Sequence, residues 1–155
     1  MTDGSTAIPE VHALLRVLAA GRDVLELGSA FGVGAAAMAE TARHVVTIEV
    51  DAERASAARE RTRGLANVEV LEGDWRELAR GSYGLVFADA GAYDWERVLE
   101  LTEVGGFIVK DDLTPGRATD GDPVREFLLR DRRLAAVELQ TAPQHAAIVA
   151  VRRAS

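Results

Sequence analysis

The stretch Val24–Gly34, reading VLELGSAFGVG, restricts the fold of this chain more than any other. Val24, Leu25 and Leu27 make a short apolar run, Gly28, Gly32 and Gly34 interrupt it, and the following AAAMAE is rich in helix formers. That order describes a strand that runs into a glycine turn and then opens a helix. Glycine has no Cβ, so such a turn can take positive φ and bring a ligand close to the N–H groups at the helix start. The stretch therefore predicts an α/β unit with a cradle for a polar small molecule.

The spacing narrows the ligand. A dinucleotide fingerprint reads G-x-G-x-x-G and needs its second glycine where pyrophosphate presses on the backbone. Here that position is Ala30, and the pattern is instead E-x-G-x-x-x-G. Glu26 points toward the mouth of the turn, where a carboxylate repels pyrophosphate and attracts an ammonium group. A nicotinamide oxidoreductase is disfavoured on both counts.

At 155 residues the chain reads as a single domain, 1–155, and a chain of this size buries roughly 68–70% of its unfolded surface. A formal charge of −7 and a pI near 5.0 argue against a nucleic-acid footprint, which is normally basic, and favour a small-molecule partner. Without cysteine there are no disulfides or thiolate metal sites. The start, MTDGSTAIPE, lacks a basic segment followed by an apolar one, and no apolar run is long enough to span a membrane. The expected location is the cytoplasm, away from membranes.

Along the chain, Ile8, Val11, Leu14, Leu15 and Leu18 recur at helical spacing, with Pro9 near the first turn and Gly21 as a stop. After the cradle helix, HVVTIEV reads as a buried strand, DAERASAARERTRG as a helix, VEVL as a strand, and GDWRELAR as a loop with a short helix. YGLVFA is a strand, YDWERVLELT a helix, and GGFIVK a fifth strand. DDLTPGRATDGDP lacks periodicity and reads as a loop; VREFLLR is then a helix, followed by strands LAAVELQ and HAAIVAV across a short turn. Strands alternating with helices imply parallel pairing through right-handed crossovers, and the final pair implies one reversed strand.

Ligands of open α/β sheets bind outside the carboxyl ends of the strands, and an acid stands near that end of each early strand. Glu26 belongs to the first, Glu49 to the second, Asp74 follows the third, Asp89 ends the fourth, and Asp111 and Asp112 end the fifth. Such a convergence of like charge needs cations or donors from a ligand. Glu49 is placed to accept both hydroxyls of a nucleotide's ribose, or else to stand exposed or cap the next helix, although Asp51 suits the cap better. Asp74 either accepts from an adenine amino group, with Trp75 packed on the ring, or caps the short helix while Trp75 enters the core. Asp89 either faces the reaction centre or caps the following helix. Asp89, Asp111 and Asp112 together offer oxygen ligands for a weak site for Mg²⁺ or a similar hard divalent ion, although Asp111 and Asp112 also suit turn hydrogen bonds.

In this order, from Val24 to Asp112, the motifs resemble those of the class I S-adenosylmethionine (SAM)-dependent methyltransferases, and the terminal strand pair carries the likeness to Val151. LVFADA followed by VGGFIVKDDLTP is similar to the small bacterial O-methyltransferases of the catechol and caffeoyl-CoA branch. The resemblance implies a Rossmann-like, doubly wound, mostly parallel seven-stranded sheet in the order 3-2-1-4-5-7-6, with strand seven antiparallel. It also implies that Glu26, Gly28, Ser29 and Gly32 meet the methionine end of SAM, Glu49 the ribose, and Asp74 and Trp75 the adenine. Two departures stand out. The lysine that metal-dependent members place shortly after the acid of strand four is missing, with Ala92 near its place, and Asp112 stands where they carry Asn. Lys110, the chain's single lysine, adjoins the site but should point away from the face of Asp111.

The expected function is SAM-dependent O-methylation of a small hydroxylated molecule, with Asp89 at the reaction centre. Alternatives are N- or C-methyl or aminopropyl transfer on the same fold, or a binding protein that holds SAM or its demethylated product, S-adenosylhomocysteine (SAH), without chemistry. So short a chain leaves its crevice open, and a homodimer would cover it.

Overall fold

The computed structural model describes residues 6–89 and 94–155. The position of Ala92, read against the missing lysine, lies outside them. β1 (Asp23–Leu27), β2 (His44–Glu49), β3 (Val68–Glu72), β4 (Tyr83–Ala88), β5 (Thr102–Leu113), β6 (Leu134–Ala142) and β7 (His145–Arg152) form one sheet in the order 3-2-1-4-5-7-6. β1 to β5 pair in parallel, and β7 runs antiparallel between β5 and β6. The expected topology is borne out.

Nearly continuous apolar runs are what a parallel sheet covered on both faces requires, and neighbouring residues of each strand go to opposite layers. Val24, Val45, Leu85 and Val109 pack with Val11 and Leu15 of α1 (Pro9–Ala19) and Met38 of α2 (Val33–Ala39). Leu25, Val46, Val86 and Ile108 face the other way, toward α4 (Trp75–Leu78), α5 (Trp95–Glu100) and α6 (Pro123–Arg130). α3 (Ala52–Thr62) begins where Asp51 accepts the Arg54 N–H, the cap assigned from sequence. The β1/β4 junction, where the strand order turns from falling to rising, lies at the middle of the sheet. This is the switch point at which such sheets bind ligands.

One stretch departs from the sequence reading. β5 extends beyond GGFIVK and takes in Asp111, Asp112 and Leu113, where the sequence pattern predicts the start of a loop. The strand continues because β7 still offers partners: pairing shifts through a bulge between Lys110 and Leu113, and Leu113 then pairs with Ala146. Asp112 takes up the bulge at φ 58°. The loop that follows is anchored by Arg125, which is 1% exposed. Its guanidinium donates to Thr114 O, to Asp122 at 2.6 Å and to Glu138 at 2.6 and 3.0 Å, so α6, β6 and the loop share one part-buried charge cluster. No helix among the described residues is long and apolar enough to cross a membrane.

Candidate active site

The glycine turn after β1 is held by β2. Gly28 N and Ser29 N both donate to Ile48 O, at 2.8 and 3.2 Å, and Gly32 N closes the turn onto Ser29 O at 2.8 Å. Gly28 (φ 97°) and Gly32 (φ 81°) use the left-handed backbone that glycine permits. Gly32 is also a point of contact: a Cβ there would lie 2.9 Å from the Ala58 Cα of α3. Ala30 adopts φ 44° without being glycine, a strained conformation that its neighbours must hold. Its N–H donates to Glu49 Oε2 at 2.9 Å.

That bond defines what Glu49 does in the chain. The carboxylate is 5% exposed; Oε2 accepts from Ala30 N and Oε1 from Asp51 N at 3.0 Å. Glu49 therefore pins the turn to the end of β2, while each oxygen keeps a further lone pair for a ligand hydroxyl.

Glu26 lies deeper, at 2% exposure. Parallel register sets it opposite Thr47, whose hydroxyl donates to Glu26 Oε1 at 2.6 Å. The Ser29 hydroxyl completes a relay by donating to Thr47 at 2.5 Å. Burial pushes the Glu26 carboxyl up to about 8 against the pull of Thr47, with Asp111 and Glu49 adding repulsion. Gly34 exists for this side chain's sake, because a Cβ at that position would run into Glu26 Oε2.

At the end of β4, Asp89 hydrogen-bonds the Asp111 carboxyl of β5. Burial raises both, and the proton resides on Asp89, which is pushed up to about 9 by burial, by the charges of Asp111 and Glu26, and by the bond it donates to Asp111. Asp111 Oδ1 is buried without a hydrogen-bond partner. Lys110 lies beside the pair and its Nζ donates to Asp111 O at 2.6 Å.

Glu26, Ser29, Ala30, Gly34 and Asp89 line a common pocket with Phe87 and the start of α1. It is small and partly open to solvent, so it suits at most one end of a ligand. Two acids whose carboxyls are pushed up by desolvation and mutual repulsion mark a pocket short of cations, and an incoming ammonium would favour their ionised forms. The amino-acid end of SAM has the required charge.

The other expected residues are placed elsewhere. Asp74 accepts the Arg76 N–H at 2.9 Å as the cap of α4, and Trp75, 5% exposed, belongs to the core with Arg76 over its ring at 5.0 Å. Neither lines the pocket of Glu26 and Asp89. Of the three acids expected to hold a divalent ion, Asp89 and Asp111 meet while Asp112, in the bulge, is exposed. Among the described residues no group of three His, Cys, Asp or Glu side chains is placed to hold a metal ion. The donor set expected for Mg²⁺ is thus not assembled.

Thr47 and His12 were not singled out from sequence. Thr47 is a lone polar residue in the apolar run VVTIE, a signal that becomes legible once register sets it beside Glu26. His12 interrupts the buried face of α1 next to Val11 and Leu15.

Solved structures give this geometry its context. The O-methyltransferase TomG from Streptomyces achromogenes, involved in tomaymycin synthesis and solved with SAM, is 24% identical with a TM-score of 0.79, over 99% of this chain and 84% of that one. An O-methyltransferase from Bacillus cereus in complex with SAH matches at 23% identity and a TM-score of 0.79, over 97% and 84%. The fold is that of the class I SAM-dependent methyltransferases. An rRNA methylase from Streptococcus thermophilus, 18% identical, also shares it over 99% of both chains with a TM-score of 0.72, so the methyltransferase fold alone does not fix the acceptor. No protein-family model matches the chain.

Proposed function

We propose that this protein is a SAM-dependent methyltransferase that methylates a hydroxyl group of a small molecule. The observation that carries the reading is the meeting of the buried Glu26 and the half-buried Asp89 in one pocket beside the glycine turn at the sheet's switch point. When bound, SAM supplies a methyl group that passes in line from its sulfonium to the acceptor oxygen. The chain's share is chiefly positioning. Glu26 and Asp89 take the ammonium, the Gly28–Gly32 turn brings the backbone close, and Glu49 offers its remaining lone pairs to the ribose. Asp74, which caps α4 through Oδ1, keeps Oδ2 for the adenine amino group, with Trp75 beside it. A divalent ion is not part of this proposal, because among the described residues no group of three His, Cys, Asp or Glu side chains is placed to hold one.

An acidic chain favours a small acceptor over a nucleic acid. The open crevice suits a dimer whose second copy covers it, and the intended setting is the cytoplasm. Thermal shift provides the first test: SAM and SAH should raise the melting temperature by mass action, and NAD should not. Stabilisation by NAD with no response to SAM or SAH would overturn the reading. Methyl transfer to a panel of catechols and other hydroxylated molecules then tests the acceptor class.

A further inference from the structure

His12 of α1 lines the same pocket as Glu26, Ser29, Ala30 and Asp89, and nothing so far gives it a task. It is 9% exposed, and its Nε2 is buried without a hydrogen-bond partner. A buried polar nitrogen left unpaired costs stability and calls for an explanation, which a ligand atom supplies when the nitrogen faces a binding pocket.

The ligand's charges say which atom that is. The amino-acid end of SAM and SAH is a zwitterion. Its ammonium is matched by Glu26 and Asp89, but those acids repel its carboxylate. Ser29 shares its hydroxyl with Thr47, the Ala30 N–H is committed to Glu49, and the Thr6 hydroxyl carries no charge. Among the described lining residues His12 is the sole side chain that can bear positive charge. Burial and the charge of Arg16 on the same helix hold the imidazole below its usual range. A neutral ring protonated on Nε2 is still a donor.

We infer that His12 Nε2–H donates a hydrogen bond to the carboxylate of the amino-acid end of SAM and SAH, and so sets this pocket to prefer the whole amino acid over a bare amine. The inference rests on the methyltransferase reading. It makes α1 a part of the cofactor site rather than only a cover for the sheet.

Titration calorimetry on the full chain tests it with two ligands. One is SAH; the other is 5′-(3-aminopropylthio)-5′-deoxyadenosine, which keeps the ammonium, ribose and adenine but has no carboxylate. His12→Leu, which keeps apolar packing and removes the donor, should weaken SAH about tenfold or more and leave the amine ligand within about twofold. His12→Gln, which retains an N–H donor, should recover part of the SAH affinity. His12→Leu that binds SAH as the wild type does, or that loses both ligands equally, overturns the assignment. So does a variant that keeps SAH affinity but loses turnover, since that marks His12 as a proton acceptor. Wild-type protein that binds neither ligand overturns the methyltransferase reading itself, and is thereby told apart from failure of the His12 assignment alone.

Discussion

Replacing Glu26 by glutamine should make the ligand-free protein more stable while it ruins the cofactor site. The Glu26 carboxyl is raised from 4.5 to about 8 in the fold, chiefly by burial. A group whose folded value exceeds its unfolded one contributes fully to stability below the unfolded value, and that contribution is withdrawn as pH rises through the folded one. The window is therefore pH 4.5 to about 8, and each unit within it costs about 1.4 kcal/mol. At pH 7 the folded chain holds the proton that the unfolded chain has released, a penalty of about 3 kcal/mol. Glutamine cannot ionise in either state, and its carbonyl still accepts from Thr47. At one kcal/mol per about 2–4 °C for a chain of this size, Glu26→Gln should raise the melting temperature at pH 7 by about 6–12 °C and have little effect at pH 4. Asp89 carries a similar penalty, so the variant should lose only part of the wild type's decline with pH. Calorimetric melts of both proteins from pH 4 to 9, together with SAH titration, make the test. Equal melting temperatures at pH 7 and parallel pH profiles would refute the claim that Glu26 is held protonated by burial.

Three further outcomes follow from the geometry. Glu49→Ala should weaken SAH by at least about 1.5 kcal/mol in titration calorimetry and also lower the melting temperature, because it releases the Ala30 and Asp51 N–H groups. Arg125→Ala should cost about 3–5 kcal/mol in urea unfolding, since it leaves Asp122 and Glu138 without their shared cation, and a loss under 1 kcal/mol would contradict the part-buried cluster. Gly32→Ala should destabilise by about 2 kcal/mol, measured the same way, because Ala58 occupies the space a methyl group needs and the backbone is left-handed.

Much of this was legible in the chain because parallel sheets write themselves plainly. Each strand is a buried run, each crossover has its helix, and the acids at strand ends mark the binding edge. The cradle was legible as well, since only a strand ending at Leu27 and a helix opening at Val33 fit that glycine spacing. What escaped depends on pairing between distant segments. Thr47 acts through its register against Glu26, which no local pattern encodes. Asp111 and Asp112 looked like a loop because acids are poor strand formers, yet β7 supplies partners that override the preference. Asp74 has both a backbone N–H to cap and the chemistry to meet a ligand, and its sequence context is the same for both.

The glycines of the cradle differ in what they would permit over a lineage. Gly32 answers to Ala58 and to its own backbone, so a descendant that lost all use for a ligand would still be bound to keep it. Gly34 answers only to the carboxylate of Glu26. Once a descendant gave up Glu26, alanine or serine would be free to enter at position 34, and the two positions should therefore change together while Gly32 stays as a relic of the fold.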